Sequence, residues 1–159
     1  DFPKKGIQFK DITPVISNPD SFRQVIKEMS SPFLNKGLQS VVAVEARGYI
    51  FGAPIANHLG TGFTPVRKSG KLPWITSQIE YSLEYGSATL EIHQDALRNG
   101  DRVLLVDDIL ATGGTLYATA QLVEGLGATV EGIAVLAEIV ALKGSSQLKK
   151  YDLLSLMKV

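Results

Sequence analysis

Two carboxylates and a glycine-rich turn lie close together in the middle of the chain. Asp107 and Asp108 follow the apolar run Val-Leu-Leu-Val at 103–106, and the run Ala-Thr-Gly-Gly-Thr occupies 111–115. Glycines let the backbone approach a ligand closely, and the first N–H groups of a helix have no partner within it, so such a turn attracts anions. The two threonines add hydroxyl donors. Acids that repel anions therefore precede a turn that attracts them.

A ligand that suits both groups must carry a phosphate at one end and hydroxyls or a metal ion at the other, and a ribose 5-phosphate has this form. The alternative is a helix N-terminus with acidic strand-end residues and no ligand. A nucleotide-hydrolase site would need a Gly-x-x-x-x-Gly-Lys-Ser/Thr loop. Gly70-Lys71 does not form one, because Leu72 follows it and Pro65 stands at the first glycine position. The dinucleotide pattern Gly-x-Gly-x-x-Gly is absent as well.

Strand and helix patterns alternate along the chain and would position these groups. The pattern predicts strands at 39–44, 62–66, 103–106, 129–136 and 153–157, and helices at 21–29, 49–59 and 116–126. This alternation predicts an α/β fold with right-handed crossovers and a ligand beyond the carboxyl ends of the strands. Residues 74–93 alternate instead, which predicts two antiparallel arms or a mobile flap. Pro54 argues against a regular helix at 49–59, unless it lies in the first turn.

Composition narrows the class of protein. A chain of 159 residues with 45% hydrophobic and 20% charged residues is typical of one soluble globular domain. Sixteen basic residues balance sixteen acidic ones, which removes a global electrostatic case for nucleic acid or membrane binding. No cysteine is present, so disulfides and thiolate chemistry are excluded. No membrane span or signal peptide is visible, so we expect a cytoplasmic protein, and the start at Asp1 suggests further N-terminal residues.

Residues 103–115 resemble, over their whole length, the phosphoribosyl-pyrophosphate signature of the type I phosphoribosyltransferases. The resemblance implies that family's fold, a mainly parallel sheet flanked by helices, in a single domain over 1–159 with a small hood at 1–15 and a flexible flap at about 70–93. It implies that Asp107 and Asp108 accept hydrogen bonds from the ribose hydroxyls. The residues expected to hold the 5-phosphate are Ala111, Thr112, Gly113, Gly114 and Thr115.

Two basic segments resemble the family's pyrophosphate-binding loops. The first is Glu-Ala-Arg-Gly at 45–48, for which the resemblance implies a cis peptide at the Ala46–Arg47 junction. The alternative is a surface Arg47 paired with Glu45. The second is Arg-Lys-Ser-Gly-Lys-Leu-Pro at 67–73, in which Arg67 is the best candidate for crossing a homodimer interface; the alternative is a solvated surface loop. The expected pyrophosphate-binding residues are Ala46, Arg47, Arg67, Lys68, Lys71 and Tyr85.

Two further segments resemble the base-binding parts of the adenine phosphoribosyltransferases, a branch of this family. Tyr-Ser-Leu-Glu-Tyr-Gly at 81–86 resembles the loop that closes over substrates, which makes Glu84 the candidate for handling the purine proton and Tyr85 for covering the pyrophosphate. Residues 2–12 resemble the base-binding hood, although Phe9 alone suits a core position as well. The expected adenine-binding residues are Gln8, Phe9, Lys10 and Ile139.

The resemblance implies transfer of phosphoribosyl from phosphoribosyl pyrophosphate to adenine, giving AMP and pyrophosphate. Mg2+ would be bound mainly through phosphoribosyl pyrophosphate, because no protein cage of carboxylates is visible, and His58 and His93 lack metal-ligand spacing. The expected catalytic residues are Glu84, Asp107, Asp108 and Arg47. There are two alternatives. One is a sibling enzyme that takes another base, and the hood argues against it. The other is a regulator that senses phosphoribosyl pyrophosphate without catalysis, and the flap argues against that.

Overall fold

The computed structural model describes residues 11–83 and 86–159, and these residues form a seven-stranded sheet with helices on both faces. The helices are α1 (Thr13–Ser17), α2 (Pro19–Ser30), α3 (Arg47–Leu59) and α4 (Gly114–Gly125). The strands are β1 (Ser40–Val44), β2 (Gly62–Lys68), β3 (Thr76–Ser82), β4 (Ser87–His93), β5 (Arg102–Leu110), β6 (Thr129–Glu138) and β7 (Leu153–Lys158). Single 3-10 turns occupy Ser31–Phe33, Val140–Leu142 and Gly144–Gln147.

The strand order is β3-β4-β2-β1-β5-β6-β7. The pairs β2–β1, β1–β5, β5–β6 and β6–β7 are parallel, whereas β4 runs antiparallel to β2 and β3 runs antiparallel to β4. The predicted mainly parallel sheet is therefore confirmed. Residues 74–93 supply two antiparallel arms that extend the sheet, since Arg67 of β2 pairs with Glu91 of β4.

Two apolar cores lie on opposite faces of the sheet. Val103 and Leu105 of β5 pack on the face that α4 covers, whereas Leu104 and Val106 pack on the face that α2 and α3 cover. All of these side chains are fully buried, which explains why β5 reads as an unbroken apolar run. Within the described residues, no helix is long and apolar enough to cross a membrane.

Pro14 and Pro54 both lie within helices. Pro14 occupies the first turn of the short helix α1, where a missing N–H is harmless. Helix α3 continues through Pro54, because Phe51 and Ile55 on either side of it are fully buried and hold the helix to the sheet.

Candidate active site

A cleft of about 280 Å³ opens at the carboxyl ends of β1 and β5. Its walls include Ala46, Arg47, Lys68, Asp107, Asp108 and Thr115. A smaller cavity of about 70 Å³ continues from it along residues 111–113 and shares Asp107 and Thr115 with it. The first residues of α3 and α4 thus face the same space as the acid pair. The structure thus brings together residues from the segments at 46–47, 68 and 107–115, which are far apart in the sequence.

Asp107 and Asp108 lie within β5 rather than beyond it, which corrects the predicted end of the strand at residue 106. Strict alternation would place Ile109 in the same core as Leu105, yet Ile109 packs on the α2/α3 face and Leu110 on the α4 face. The pairing of β5 with β6 keeps one register from Leu104 to Leu110. The acid pair lies near the carboxyl end of this strand, and both carboxylates line the cleft there.

Asp108 forms an ion pair with Arg47, the first residue of α3. Arg47 Nε lies 2.7 Å from Asp108 Oδ2, the Asp108 side chain is 4% exposed and the Arg47 side chain is 46% exposed. The N–H does not point along this line, so the contact is electrostatic rather than a directed hydrogen bond. The alternative partner predicted for Arg47 is wrong: Glu45 instead pairs with Arg67 at 3.1 Å, because β2 lies beside β1 in the sheet.

The two carboxylates repel each other. Burial and the negative charge of Asp108 raise the pKa of Asp107 from 3.8 to about 8, against the opposing effects of the Asp108 N–H and Arg47. Asp107 Oδ1 accepts the Asp108 N–H at 2.9 Å, which fixes its side chain. A cation or a hydroxyl donor that binds in the cleft would oppose this shift in pKa and favour the charged form of Asp107.

The N-terminus of α4 has no side-chain cap among the described residues. Its N-cap, Gly113, has φ +88°, a left-handed conformation that glycine adopts without strain. By contrast, the N-terminus of α2, far from the cleft, is capped by Asn18, which accepts from two backbone N–H groups. The first-turn amides of α4 therefore remain available to an anion, as the sequence predicts.

A second glycine, Gly144, packs against the turn at 111–115. A Cβ on Gly113 would lie 2.5 Å from the Gly144 carbonyl oxygen, and a Cβ on Gly144 would lie 2.2 Å from the Ala111 carbonyl oxygen. The two backbones therefore pack together without room for a side chain. The 3-10 turn at Gly144–Gln147 therefore packs directly against the backbone of the 111–115 turn.

The basic segment at 67–73 is held in place by hydrogen bonds to two acids, Glu45 and Glu91. Glu45 accepts the Arg67 guanidinium at 3.1 Å and the Lys68 N–H at 2.8 Å. Burial acts to raise the pKa of Glu45, but these donors outweigh burial and lower it. Glu91, 2% exposed, accepts the backbone N–H groups of Lys71 and Leu72, each at 2.8 Å. These contacts fix the backbone that carries the predicted pyrophosphate-binding cations.

The comparisons with known proteins agree with this geometry. The sequence model described as "Phosphoribosyl transferase domain" matches residues 18–157. An adenine phosphoribosyltransferase of Roseiflexus castenholzii is 52% identical over 158 residues, which cover 99% of this chain and 92% of that protein. The chain belongs to the adenine phosphoribosyltransferase family.

Solved structures of the family share the fold. The crystal structure of the adenine phosphoribosyltransferase from Thermoanaerobacter pseudethanolicus is 52% identical, has a TM-score of 0.95 and covers 100% of this chain and 92% of that one. The enzyme from Saccharomyces cerevisiae, complexed with an imino-altritol bisphosphate and adenine, is 39% identical, has a TM-score of 0.91 and covers 98% of this chain and 90% of that one. The predicted family and fold are confirmed.

One detail implied by the resemblance is displaced. The cis peptide joins Glu45 and Ala46, not Ala46 and Arg47. Ala46 already has helical backbone angles, φ −101° and ψ −36°, as the N-cap of α3. The Ala46–Arg47 bond therefore belongs to the start of the helix, and the irregular peptide precedes it.

Several predicted site residues lie outside the cleft or outside the described residues. Gln8, Phe9, Lys10, Glu84 and Tyr85 are not among the described residues. Ile139 is half-buried at the end of β6, where its N–H donates to the Leu110 carbonyl at 2.9 Å, one residue before the glycine-rich turn. Arg67 is held by Glu45 and by the Lys71 carbonyl, at 3.1 Å each. These assignments stay predictions.

Sequence reasoning missed three residues that the structure places at the site. Tyr81 of β3 lines the cleft, and its hydroxyl lies 3.2 Å from that of Thr115. Glu91 and Gly144 support the basic segment and the glycine-rich turn. The sequence does mark Glu91 as unusual, because it is an acid between the apolar residues Leu90 and Ile92 of a strand. The roles of Tyr81 and Gly144 depend on contacts between segments distant in sequence, which no local pattern reveals.

The described residues contain no group of three or more histidine, cysteine, aspartate or glutamate side chains that could hold a metal ion. Two carboxylates do face the cleft, with Asp108 already paired to Arg47. Mg2+ commonly binds through one or two carboxylates, with water and substrate phosphates completing its shell. The acid pair fits a magnesium ion carried largely by a substrate and does not fit an all-protein cage.

Proposed function

We propose that this chain transfers a phosphoribosyl group from 5-phosphoribosyl 1-pyrophosphate to adenine, giving AMP and pyrophosphate, a purine-salvage reaction. The observation that carries the proposal is the single cleft shared by Asp107, Asp108, Arg47 and the uncapped start of α4. Family membership over nearly the whole chain supports the choice of adenine. In the reaction, N9 of adenine forms a bond to the anomeric carbon, the bond from that carbon to pyrophosphate breaks, and pyrophosphate leaves with the electron pair.

The 5-phosphate binds the glycine-rich turn in this proposal. The backbone of residues 111–115 approaches the phosphate closely at Gly113 and Gly114, and the hydroxyls of Thr112 and Thr115 add donors. Asp107 and Asp108 accept from the ribose 2- and 3-hydroxyls. Their negative charge also stabilises the positive charge that develops at the anomeric carbon as pyrophosphate leaves.

Cations bind the leaving group. Arg47 at the start of α3, Lys68 in the wall of the cleft and Lys71 on the ordered loop neutralise the pyrophosphate. The backbone N–H of Ala46 donates to it. Mg2+, which we propose enters bound to phosphoribosyl pyrophosphate, supplies further neutralisation of the leaving oxygens. Arg47 would orient the pyrophosphate while its ion pair with Asp108 fixes the position of its guanidinium.

The base and the closing flap involve residues outside the described part of the chain. In this proposal Phe9 and Ile139 stack on opposite faces of adenine, the Gln8 carbonyl and the Lys10 N–H distinguish adenine from oxopurines, and Glu84 handles the purine proton while Tyr85 covers the pyrophosphate. Stacking suits any flat base, so specificity comes from the polar groups left unpaired with the wrong base. The hood at 1–15 and the flap at about 70–93 belong to one domain, 1–159, in this proposal.

A homodimer in the cytoplasm, with Arg67 crossing to the partner's site, completes the proposal. Light scattering gives the oligomeric state, and a mixing experiment tests the crossing. Arg67→Ala and Asp107→Asn are each expected to lose at least about nine-tenths of the activity alone. If Arg67 acts across the interface, hybrid dimers contain one intact site, and random mixing restores about a quarter of the activity. No restoration in proven hybrids means that Arg67 acts within its own chain, where it contacts Glu45.

The test of the function is pyrophosphate release from phosphoribosyl pyrophosphate and Mg2+, with adenine, hypoxanthine, guanine and uracil compared side by side. We expect release with adenine and at least about 10²-fold slower release with the other bases, since they leave buried polar groups unpaired. Faster release with hypoxanthine than with adenine would overturn the base assignment. Binding of phosphoribosyl pyrophosphate without release with any base would identify a sensor instead of an enzyme.

A further inference from the structure

Tyr81 links the β3–β4 hairpin to the first turn of α4. Its hydroxyl oxygen lies 3.2 Å from the Thr115 hydroxyl oxygen. Its ring packs against the core on the α4 face and comes within 3.6 Å of the position that a Cβ on Gly114 would occupy. Tyr81 also lines the cleft that contains the acid pair. Tyr81 therefore lines the cleft and also contacts Thr115, the last residue of the turn at 111–115.

The hydrogen bond between the two hydroxyls can run in either direction. A threonine hydroxyl has one proton to donate and can accept as well, whereas a tyrosine hydroxyl is the more acidic of the two and the better donor. Among the described residues, the Thr115 hydroxyl has no hydrogen-bond partner other than Tyr81. When Tyr81 donates, Thr115 keeps its own proton for a second acceptor. The free amides of the first turn of α4 mark where such an acceptor would bind.

We propose that Tyr81 is a positioning residue that directs the Thr115 hydroxyl proton toward the 5-phosphate. Tyr81 donates to Thr115, and Thr115 donates to a phosphate oxygen, so that each bond polarises the next. This inference depends on the proposed function, because it assigns the 5-phosphate to the turn at 111–115. Tyr81 itself touches no phosphate; it acts through Thr115.

Removal of the hydroxyl alone tests the proposal, because Tyr81→Phe keeps the ring that packs on Gly114. The matched control is Tyr151→Phe, which also removes one tyrosine hydroxyl bonded at 3.2 Å, to Glu124, but outside the walls of the cleft. We measure binding of ribose 5-phosphate by calorimetry and the KM for phosphoribosyl pyrophosphate and for adenine. Thermal denaturation of each variant reports whether the fold is intact.

We expect Tyr81→Phe to weaken ribose 5-phosphate binding and to raise the KM for phosphoribosyl pyrophosphate about threefold to tenfold, the range for one lost hydrogen bond. The KM for adenine should not change, and Tyr151→Phe should bind as the wild type does. In a Thr115→Val background, Tyr81→Phe should add no further loss, because its effect passes through the Thr115 hydroxyl.

The outcomes separate this inference from the proposed function. Equal ribose 5-phosphate binding by Tyr81→Phe and wild type would overturn the inference alone, as would an additive loss in the Thr115→Val background. If the wild type binds ribose 5-phosphate but releases no pyrophosphate with any base, the function is wrong while weakened binding by Tyr81→Phe still supports the positioning role. If the wild type binds no ribose 5-phosphate, both are overturned.

Discussion

Arg47 Nε lies 2.7 Å from Asp108 Oδ2, so that the first residue of α3 pairs with a nearly buried carboxylate of β5. Arg47→Ala should lower the free energy of unfolding by about 1 kcal/mol, because it leaves a buried carboxylate without its cation while the Arg47 side chain itself is half exposed. Pyrophosphate release should fall by about 10²-fold or more through loss of leaving-group stabilisation. Urea denaturation and steady-state kinetics measure the two effects.

The double variant Arg47→Ala/Asp108→Asn separates stability from catalysis. It should recover the stability lost in Arg47→Ala, because the uncompensated charge is gone, yet it should stay inactive. Recovery of activity in the double variant would show that Arg47 acts only by neutralising Asp108.

Asp107→Asn should make the protein more stable while it reduces turnover. Asparagine keeps the oxygen that accepts the Asp108 N–H and removes a charge that burial and Asp108 disfavour. An acid whose pKa is raised on folding destabilises the folded state as it ionises, so the penalty grows from the ordinary pKa of 3.8 up to about 8. The variant should therefore gain about 1 kcal/mol or more at pH 8 and clearly less at pH 4, where the folded carboxyl is neutral and the unfolded one is only partly ionised.

Urea denaturation at pH 4, 6 and 8 measures this gain, with Asp152→Asn as the control for loss of one negative charge at an exposed position. Pyrophosphate release by Asp107→Asn should fall at least about tenfold, because a ribose hydroxyl loses a charged acceptor. A variant that is less stable than the wild type at pH 8 would contradict the predicted repulsion.

Gly144→Ala should disturb the glycine-rich turn from a distance of thirty residues along the chain. The added Cβ would lie 2.2 Å from the Ala111 carbonyl oxygen and 2.9 Å from Leu110 Cδ1, so the backbone must shift. We expect a loss of about 1–3 kcal/mol in the free energy of unfolding and a higher KM for phosphoribosyl pyrophosphate, with the KM for adenine little changed.

The matched control is Gly125→Ala in the last turn of α4, where a Cβ would meet no atom within 4 Å. That substitution should leave the kinetics unchanged and stabilise the helix by a few tenths of a kcal/mol up to about 1. Equal effects of the two substitutions would show that close packing at Gly144 does not govern the turn.

Glu91→Gln should loosen the loop that carries Lys71. Burial acts to raise the pKa of Glu91, but hydrogen bonds from the backbone of residues 70–72 and from Gln78 outweigh burial and lower it. A glutamine places an NH2 group, which is itself a donor, beside the N–H groups that Glu91 accepts. We therefore expect the free energy of unfolding to fall by about 1–3 kcal/mol at pH 7 and the KM for phosphoribosyl pyrophosphate to rise. The control Glu80→Gln changes an exposed acid of β3 on the same hairpin.

The pH dependence of Glu91→Gln has a defined sign. A carboxyl whose pKa is lowered on folding stabilises the protein above its unfolded pKa of 4.5, and this contribution is lost as the pH falls through the lower folded value. The difference in stability between wild type and Glu91→Gln should therefore be largest above pH 5 and shrink in stronger acid. A difference that grows on acidification would contradict the role of the charged form.

Much of the fold followed from local patterns. The apolar runs of β1, β5 and β6 are buried on both faces, and such runs predict parallel strands covered by helices. The glycines of the 111–115 turn and the acids beside them predicted an anion site next to hydroxyl acceptors, because these properties belong to residue types and to helix ends. The resemblance to the phosphoribosyltransferase family was visible in the same residues, 103–115, because the residue types that bind the ligand also form the family's signature.

The tertiary structure alone decided which charges meet. Sequence spacing left Glu45 open as an alternative partner of Arg47. The sheet order places β5 beside β1 and gives that role to Asp108, while Glu45 pairs with Arg67 on β2. The contacts of Tyr81 with Thr115 and of Gly144 with Ala111 join segments about thirty residues apart. Such pairings depend on how strands are ordered and how closely backbones pack, and neither property is encoded in the neighbours of a residue along the chain.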